Sequence, residues 1–205
     1  PRSIIEHLDS GRHYNINSKK RKLQILFAEK QKKNDIYNTD IAAFAENMDS
    51  IQKMKEEYVV ITPSYMIFTQ DFDVLLKDHI KSGADITMLY HSINDATTNC
   101  LNCAYLTLNR QNGVLALAKN RGNEAERDIF MDTYVLKKDL FIELINKARS
   151  LSSMYTLSQI INIECEELDV RGYKHEGYFA AITNFKSYYD SNLSLIKYED
   201  TKDLF

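Results

Sequence analysis

The chain has 205 residues, 44% of them hydrophobic, and a formal net charge of −3. That length and apolar content support one domain with a real core, and the acidic balance lacks the basic face that nucleic acid demands. No apolar run approaches the roughly 20 residues of a membrane span, and no signal peptide opens the chain. Three cysteines without secretory features suggest a reducing, cytoplasmic setting. One basic run, Lys19-Lys20-Arg21-Lys22, interrupts the acidic balance. It reads as a solvated loop or turn rather than an anion contact.

In chain order, Ser3 to Leu8 forms a short helix with Ser3 as cap and Gly11 as stop. Residues 13–22 and 30–34 are polar connections around a short strand candidate at 23–27. Thr39 or Asp40 caps a helix over 39–55, with Ile41, Phe44, Met48 and Ile51 on one face. The apolar run Tyr58-Val59-Val60-Ile61 then predicts a buried central strand of a parallel sheet, ended by Pro63. In open α/β sheets ligands collect beyond the carboxyl ends of strands, which points to residues 62–65. That loop carries no carboxylate, His, Lys or Gly.

Asp71 caps a helix over 72–81 with Phe72, Leu75, Leu76 and Ile80 inward and Gly83 at its end. For Asp71, capping is favoured over metal binding. The strand at 85–90 follows by a crossover, so it should be a parallel neighbour. Two strands, 104–109 and 114–118, flank Gln111-Asn112-Gly113, a hairpin signal. Residues 129–136 form a strand, a helix runs to about 147, and a shorter one spans 152–161. Residues 165–173 and 178–182 should pair antiparallel. Asn184 caps a last helix with Phe185, Tyr188, Tyr189, Leu193 and Ile196 inward. The expected architecture is a single α/β domain of three layers with a mixed, mainly parallel sheet.

Sharper motifs are absent. Cys100-Leu-Asn-Cys103 opens a strand rather than a helix and has only Cys165 as a further thiol, so structural thiols are favoured over zinc or redox roles. The five histidines lack ligand spacing, and His79 is expected at the surface or boundary. No P-loop, G-x-G-x-x-G or G-x-S-x-G occurs.

Several segments nevertheless resemble, in order and nearly end to end, the nucleotidyltransferase domain of bacterial ADP-glucose pyrophosphorylases (glucose-1-phosphate adenylyltransferases). They are Ser3-Ile-Ile-Glu-His-Leu-Asp-Ser-Gly11, Glu46-Asn-Met-Asp-Ser-Ile51, Glu57-Tyr-Val-Val-Ile61, His79-Ile-Lys-Ser-Gly-Ala-Asp-Ile-Thr87, Gly177-Tyr-Phe179 and Lys186-Ser-Tyr-Tyr-Asp-Ser-Asn192. Within that family the wording is most similar to the non-catalytic GlgD-type subunit of glycogen biosynthesis. The resemblance implies a nucleotide-diphospho-sugar transferase-like domain spanning residues 1–205. It also implies an internal piece, without the family's opening glycine-rich loop segment or its closing left-handed β-helix.

The departures bear on chemistry. In catalytic relatives one metal Asp follows the central strand, where this chain has Thr62-Pro63-Ser64-Tyr65, and a second follows the Gly-Tyr block, where it has Ala181. The stretch near base and sugar becomes Thr39-Asp40-Ile41-Ala42, and the sugar-phosphate segment becomes Leu117-Ala118-Lys119-Asn120, with Lys119 as a weak remnant. Ser64 and Ala181 thus mark lost metal carboxylates, leaving no expected catalytic residue, metal ligand or cofactor. Mg²⁺ enters only if the protein is active. The resemblance implies a catalytically silent regulatory or structural subunit that joins a catalytic ADP-glucose pyrophosphorylase subunit in a hetero- or homo-oligomer, without nucleic acid or membrane. The alternatives are an active sugar-phosphate nucleotidyltransferase, or a module that senses nucleotide or sugar phosphate.

Overall fold

A computed structural model describes residues 2–8, 23–27 and 37–197. Its helices are α1 (Arg2–Leu8), α2 (Asp40–Glu46), α3 (Met48–Gln52), α4 (Phe72–Ser82), α5 (Lys138–Leu151), α6 (Leu157–Glu164) and α7 (Phe185–Ser194). The strands are β1 (Tyr58–Ile61), β2 (Met66–Phe68), β3 (Ile86–Ile93), β4 (Ala104–Leu108), β5 (Val114–Lys119), β6 (Arg127–Lys137), β7 (Val170–Lys174) and β8 (Phe179–Ala181). The basic run at 19–22 and the connections at 13–22 and 30–34 lie outside the described residues.

The long strand β6 is the spine. One edge pairs antiparallel with β3, from Ile86 opposite Leu136 to Ile93 opposite Arg127. The other edge is shared: β1 takes residues 134–137, and β4 touches it at Ile129. β7 adds parallel to β3, and β5 closes a hairpin with β4. Four of the six strands (β1, β3, β4 and β7) therefore run one way, and β5 and β6 run against them.

Period-two alternation along β3 and β6 builds a core on each face. Ile86, Met88, Tyr90, Phe130, Tyr134 and Leu136 pack under α2, α3, α5 and α6. Leu89, Ile129, Met131 and Val135 meet Leu75 of α4 and the small β2–β8 sheet. This is the expected three-layer α/β arrangement with a mixed sheet. Local signals behave as expected: Thr39 accepts from Ala42 N, Asp71 from Asp73 N and Val74 N, and Gly83 ends α4 left-handed at φ 70°. In the β4–β5 hairpin, the Asn109 carboxamide accepts from the amides of Gln111 and Gly113.

Other expectations are corrected. β1 is not a central strand with parallel neighbours. Among the described residues it pairs only with β6, antiparallel, and Val60 is 41% exposed. The crossover through α4 does return a strand in the same direction, but β6 inserts between β1 and β3. None of the β1 residues is fully buried, so the apolar run marks a strand but neither its depth nor the strand beside it. Residues 23–27 form no ladder. The helix expected over 39–55 breaks at Asn47, which ends α2 and opens α3 while Ile41 and Ile51 stay buried. The short helix begins later than expected, where Thr156 and Gln159 form a capping box.

β7 and β8 do not pair with each other. β7 joins β3, whereas β8 crosses to β2, a strand not foreseen. On α4 the buried pair is Leu75 and His79, whereas Ile80 is 52% exposed. His79 is 2% exposed and its Nδ1 bonds the Thr87 hydroxyl at 2.7 Å, which makes the site tolerable for a polar ring. The apolar face of α7 points outward, with Phe185 82% and Tyr189 56% exposed, and Ile196 beyond its end is 79% exposed.

Candidate functional site

The shared edge of β6 leaves a window. β1 ends with Ile61 opposite Tyr134, and β4 meets the strand only at Ile129, so, among the described residues, 130–133 have no strand partner on that edge. Within the window the β3–β6 register shifts between Leu89 and Tyr90, and Asp132 adopts φ 45°. Such a bulge re-aims one side chain. On one side, the Thr62 hydroxyl lies 3.1 Å from that of Thr133, which itself donates to Met131 O at 2.9 Å. Thr62 therefore donates to Thr133. On the other side sits the Cys100–Cys103 turn that leads into β4.

Tyr65 reaches across this window, and its hydroxyl donates to the Asp132 carboxylate. Burial lifts the Asp132 carboxyl above its ordinary pKa, the Tyr65 hydroxyl pulls it down, and the charge of Asp40 lifts it again. Desolvation and the Asp132 carboxylate push the Tyr65 phenol well up. An open groove of about 490 Å³ beside them is lined by Tyr65, Leu101, Asn102, Cys103, Thr183 and Asn184.

Ser64 is exposed at the rim, two residues before Met66, whose partner across the small sheet is Ala181. Ile182 N donates to Tyr65 O at 2.8 Å. The segment after β1 and the end of β8, far apart in sequence, thus lie side by side, with Ser64 two residues before the partner of Ala181. Lys119 ends β5 opposite Ala104 and is exposed. Thr39 and Asp40 are engaged structurally: Thr39 caps α2, and both Asp40 carboxylate oxygens accept from Leu157 N (3.1 and 3.2 Å), capping α6.

The small sheet is fastened by a histidine pair. His175 is 1% exposed and its Nε2–H donates to Thr69 O at 2.9 Å. Its Nδ1 lies 3.2 Å from Nδ1 of His91. With the proton of neutral His175 on Nε2, its Nδ1 must accept, which assigns the His91 proton to Nδ1. His91 also lies against Phe179 of β8, with ring centroids 5.1 Å apart.

The family resemblance brings Mg²⁺ with activity. A hard cation wants convergent carboxylate oxygens. Ser64 supplies a hydroxyl, Ala181 supplies no ligand, and Asp132 is held by Tyr65. Among the described residues no group of three or more His, Cys, Asp or Glu is placed to hold a metal. The donor set at the window does not fit the ion. Tyr65 closes the 62–65 loop that the sequence pointed to, without a role assigned to it; Asp132 was missed, although a carboxylate inside Ile129-Phe-Met-Asp-Thr-Tyr-Val-Leu136 is the signal that could have marked a bulge.

No family model matches the chain. It is 23% identical over its whole length to a glucose-1-phosphate adenylyltransferase of Mycoplasma mobile, covering 54% of that protein. It is 22% identical over 198 residues to the glycogen biosynthesis protein GlgD of Bacillus subtilis, covering 96% of this chain and 47% of that one. The chain spans about half the length of the curated relatives it matches. Among solved structures, one described as a glucose-1-phosphate thymidylyltransferase from Bacillus anthracis superposes with a TM-score of 0.69 at 11% identity, covering 93% of this chain and 70% of that one. The resemblance drawn from the sequence is borne out, and the fold is that of the nucleotidyltransferase neighbour.

Proposed function

We propose that the chain, similar along its length to glucose-1-phosphate adenylyltransferases and GlgD proteins, is the nucleotidyltransferase-like part of a glycogen-biosynthesis protein that does not itself transfer adenylyl groups. It acts by pairing with a catalytic adenylyltransferase subunit and altering that subunit's response to effectors. The observation that carries this reading is the window: a hydroxyl at Ser64, a methyl at Ala181, and a carboxylate at Asp132 already bonded by Tyr65. Adenylyl transfer builds negative charge on the phosphates, and metal held by carboxylates contributes several kcal/mol to stabilising it. Relatives named GlgD and glucose-1-phosphate adenylyltransferase support the glycogen setting.

The test is pyrophosphate release from ATP and glucose 1-phosphate with Mg²⁺, for the protein alone and mixed with a catalytic adenylyltransferase. Background turnover alone, with a shifted effector response in the mixture, is the expected result. ADP-glucose formation by the unmodified protein alone overturns the reading. It would favour the second reading, an active sugar-phosphate nucleotidyltransferase, for which Asp132 is the specific support.

A further inference from the structure

The turn that borders the window carries two thiols whose geometry has no part in nucleotide transfer. Cys103 N donates to Cys100 O at 3.1 Å, closing a four-residue turn. Such turns hold their end Cα atoms within about 7 Å, near the span a disulfide bridges. Cys100 and Asn102 both take left-handed backbone, at φ 51° and 66°. The turn is braced from behind by Asn120, which is 1% exposed. Its side-chain amide donates to Ala96 O (2.8 Å), Asn99 O (3.2 Å) and Cys100 O (3.2 Å). Its backbone N donates to Cys103 O, and its carbonyl accepts from Asn102 N, each at 2.9 Å.

The two sulfurs are unequal. Cys100 is partly exposed, whereas Cys103 is 4% exposed and belongs to the core beneath α4. The neighbouring Cys103 thiol draws the Cys100 pKa below its ordinary value, against the opposing effect of burial, while Cys103 is pushed up by Cys100 and by burial. Cys165 packs against the core on the other face of the sheet, and burial raises its pKa. It is a built-in comparison thiol.

We propose that Cys100 and Cys103 form a thiol–disulfide exchange site that takes a small disulfide of the glutathione class, with Cys100 attacking and Cys103 resolving. The Cys100 thiolate attacks one sulfur of the oxidant, forming a mixed disulfide and releasing one thiolate. Cys103 then loses its proton, attacks the Cys100 sulfur, forms the internal disulfide and releases the second thiolate. Two protein thiols are oxidised, one disulfide is reduced to two thiols, and the leaving thiolates take up the protons. The oxidised turn shares a groove wall with Tyr65. The inference stands whether or not the chain transfers nucleotides.

The experiment treats the native chain with oxidised glutathione near neutral pH, alkylates the remaining thiols and maps the peptides by mass. In the unmodified chain the peptide holding both residues should be lighter by two hydrogens, with Cys165 still alkylated. Cys103→Ser should accumulate a glutathione adduct on Cys100, and Cys100→Ser should react about tenfold more slowly. Unmodified-chain mapping decides the matter even if a variant fails to fold. Absence of the internal disulfide under excess oxidant, oxidation of Cys165 as fast as the pair, or an adduct first on Cys103 overturns the proposal.

Discussion

Tyr65→Phe removes one oxygen from the window and leaves the ring in place. What is lost is the hydroxyl's bond to the Asp132 carboxylate. A hydrogen bond to an ionised group contributes ~1.5–3 kcal/mol. Tyr65 is 36% exposed, so water recovers part of that bond. A loss of about 1.5 kcal/mol near neutral pH is expected, at the lower end of the range. The pH dependence has a definite sign. The Asp132 carboxyl already titrates above its ordinary value, chiefly through burial, and the Tyr65 hydroxyl counters that rise. Without the hydroxyl the folded chain holds its proton more tightly, and stability then falls further as pH rises through that folded value. The destabilisation by Tyr65→Phe should therefore be largest at about pH 7 and shrink toward about pH 4. Asp132→Asn keeps an acceptor and removes a desolvated charge, so it should be neutral or stabilising at neutral pH and lose any advantage in acid. Urea unfolding of both single variants and the double variant measures the coupling. Additivity within about 0.3 kcal/mol at neutral pH, or a Tyr65→Phe loss that grows in acid, would refute the reasoning.

The histidine pair predicts a second pH effect. Burial lowers the pKa of His91 and of His175, the neighbouring ring adding to the effect on His91, and burial likewise lowers that of His79. The unfolded chain then takes protons first, so stability is full above about pH 6.5 and falls as pH drops below it. His175→Phe should flatten part of the acid slope of the thermal midpoint, and an unchanged slope contradicts the assignment. For Leu75→Ala, a side chain with 0% exposure between α4 and the sheet is removed, and a loss of about 3 kcal/mol in urea unfolding is expected. A loss below about 1 kcal/mol would show that α4 collapses onto the gap.

What was legible in the sequence was mostly local. The Asp71 cap, the Gly83 stop and the Asn109–Gly113 turn depend on atoms a few residues apart. The layer assignment followed from Ile86, Met88 and Leu89 lying in a run too apolar for solvent on either face. Strand neighbours were not legible. Tyr58–Ile61 has the same letters whether it pairs with a parallel strand or with β6, and β7 was assigned to the wrong partner for the same reason. The outward face of α7 misled because tyrosines and leucines at helical spacing state that a face is apolar, not that it is covered. At the site, the 62–65 loop was reachable as the end of an apolar strand, whereas the Tyr65–Asp132 bond joins residues 67 apart in sequence.

The window on β6 separates two kinds of inheritance. Ile129 and residues 134–137 carry the ladder on that edge, whereas Ser64 and Tyr65 hang from the loop beyond β1, the thiols from the turn before β4, and Asp132 from the bulge between. Ser64 lies outside every strand pairing among the described residues. A substitution at such a position can therefore change local chemistry without touching the ladder on which the fold depends. Loops bordering the gap can also change length without forcing a register slip in the spine. Loss of turnover and retention of shape are compatible outcomes in this architecture.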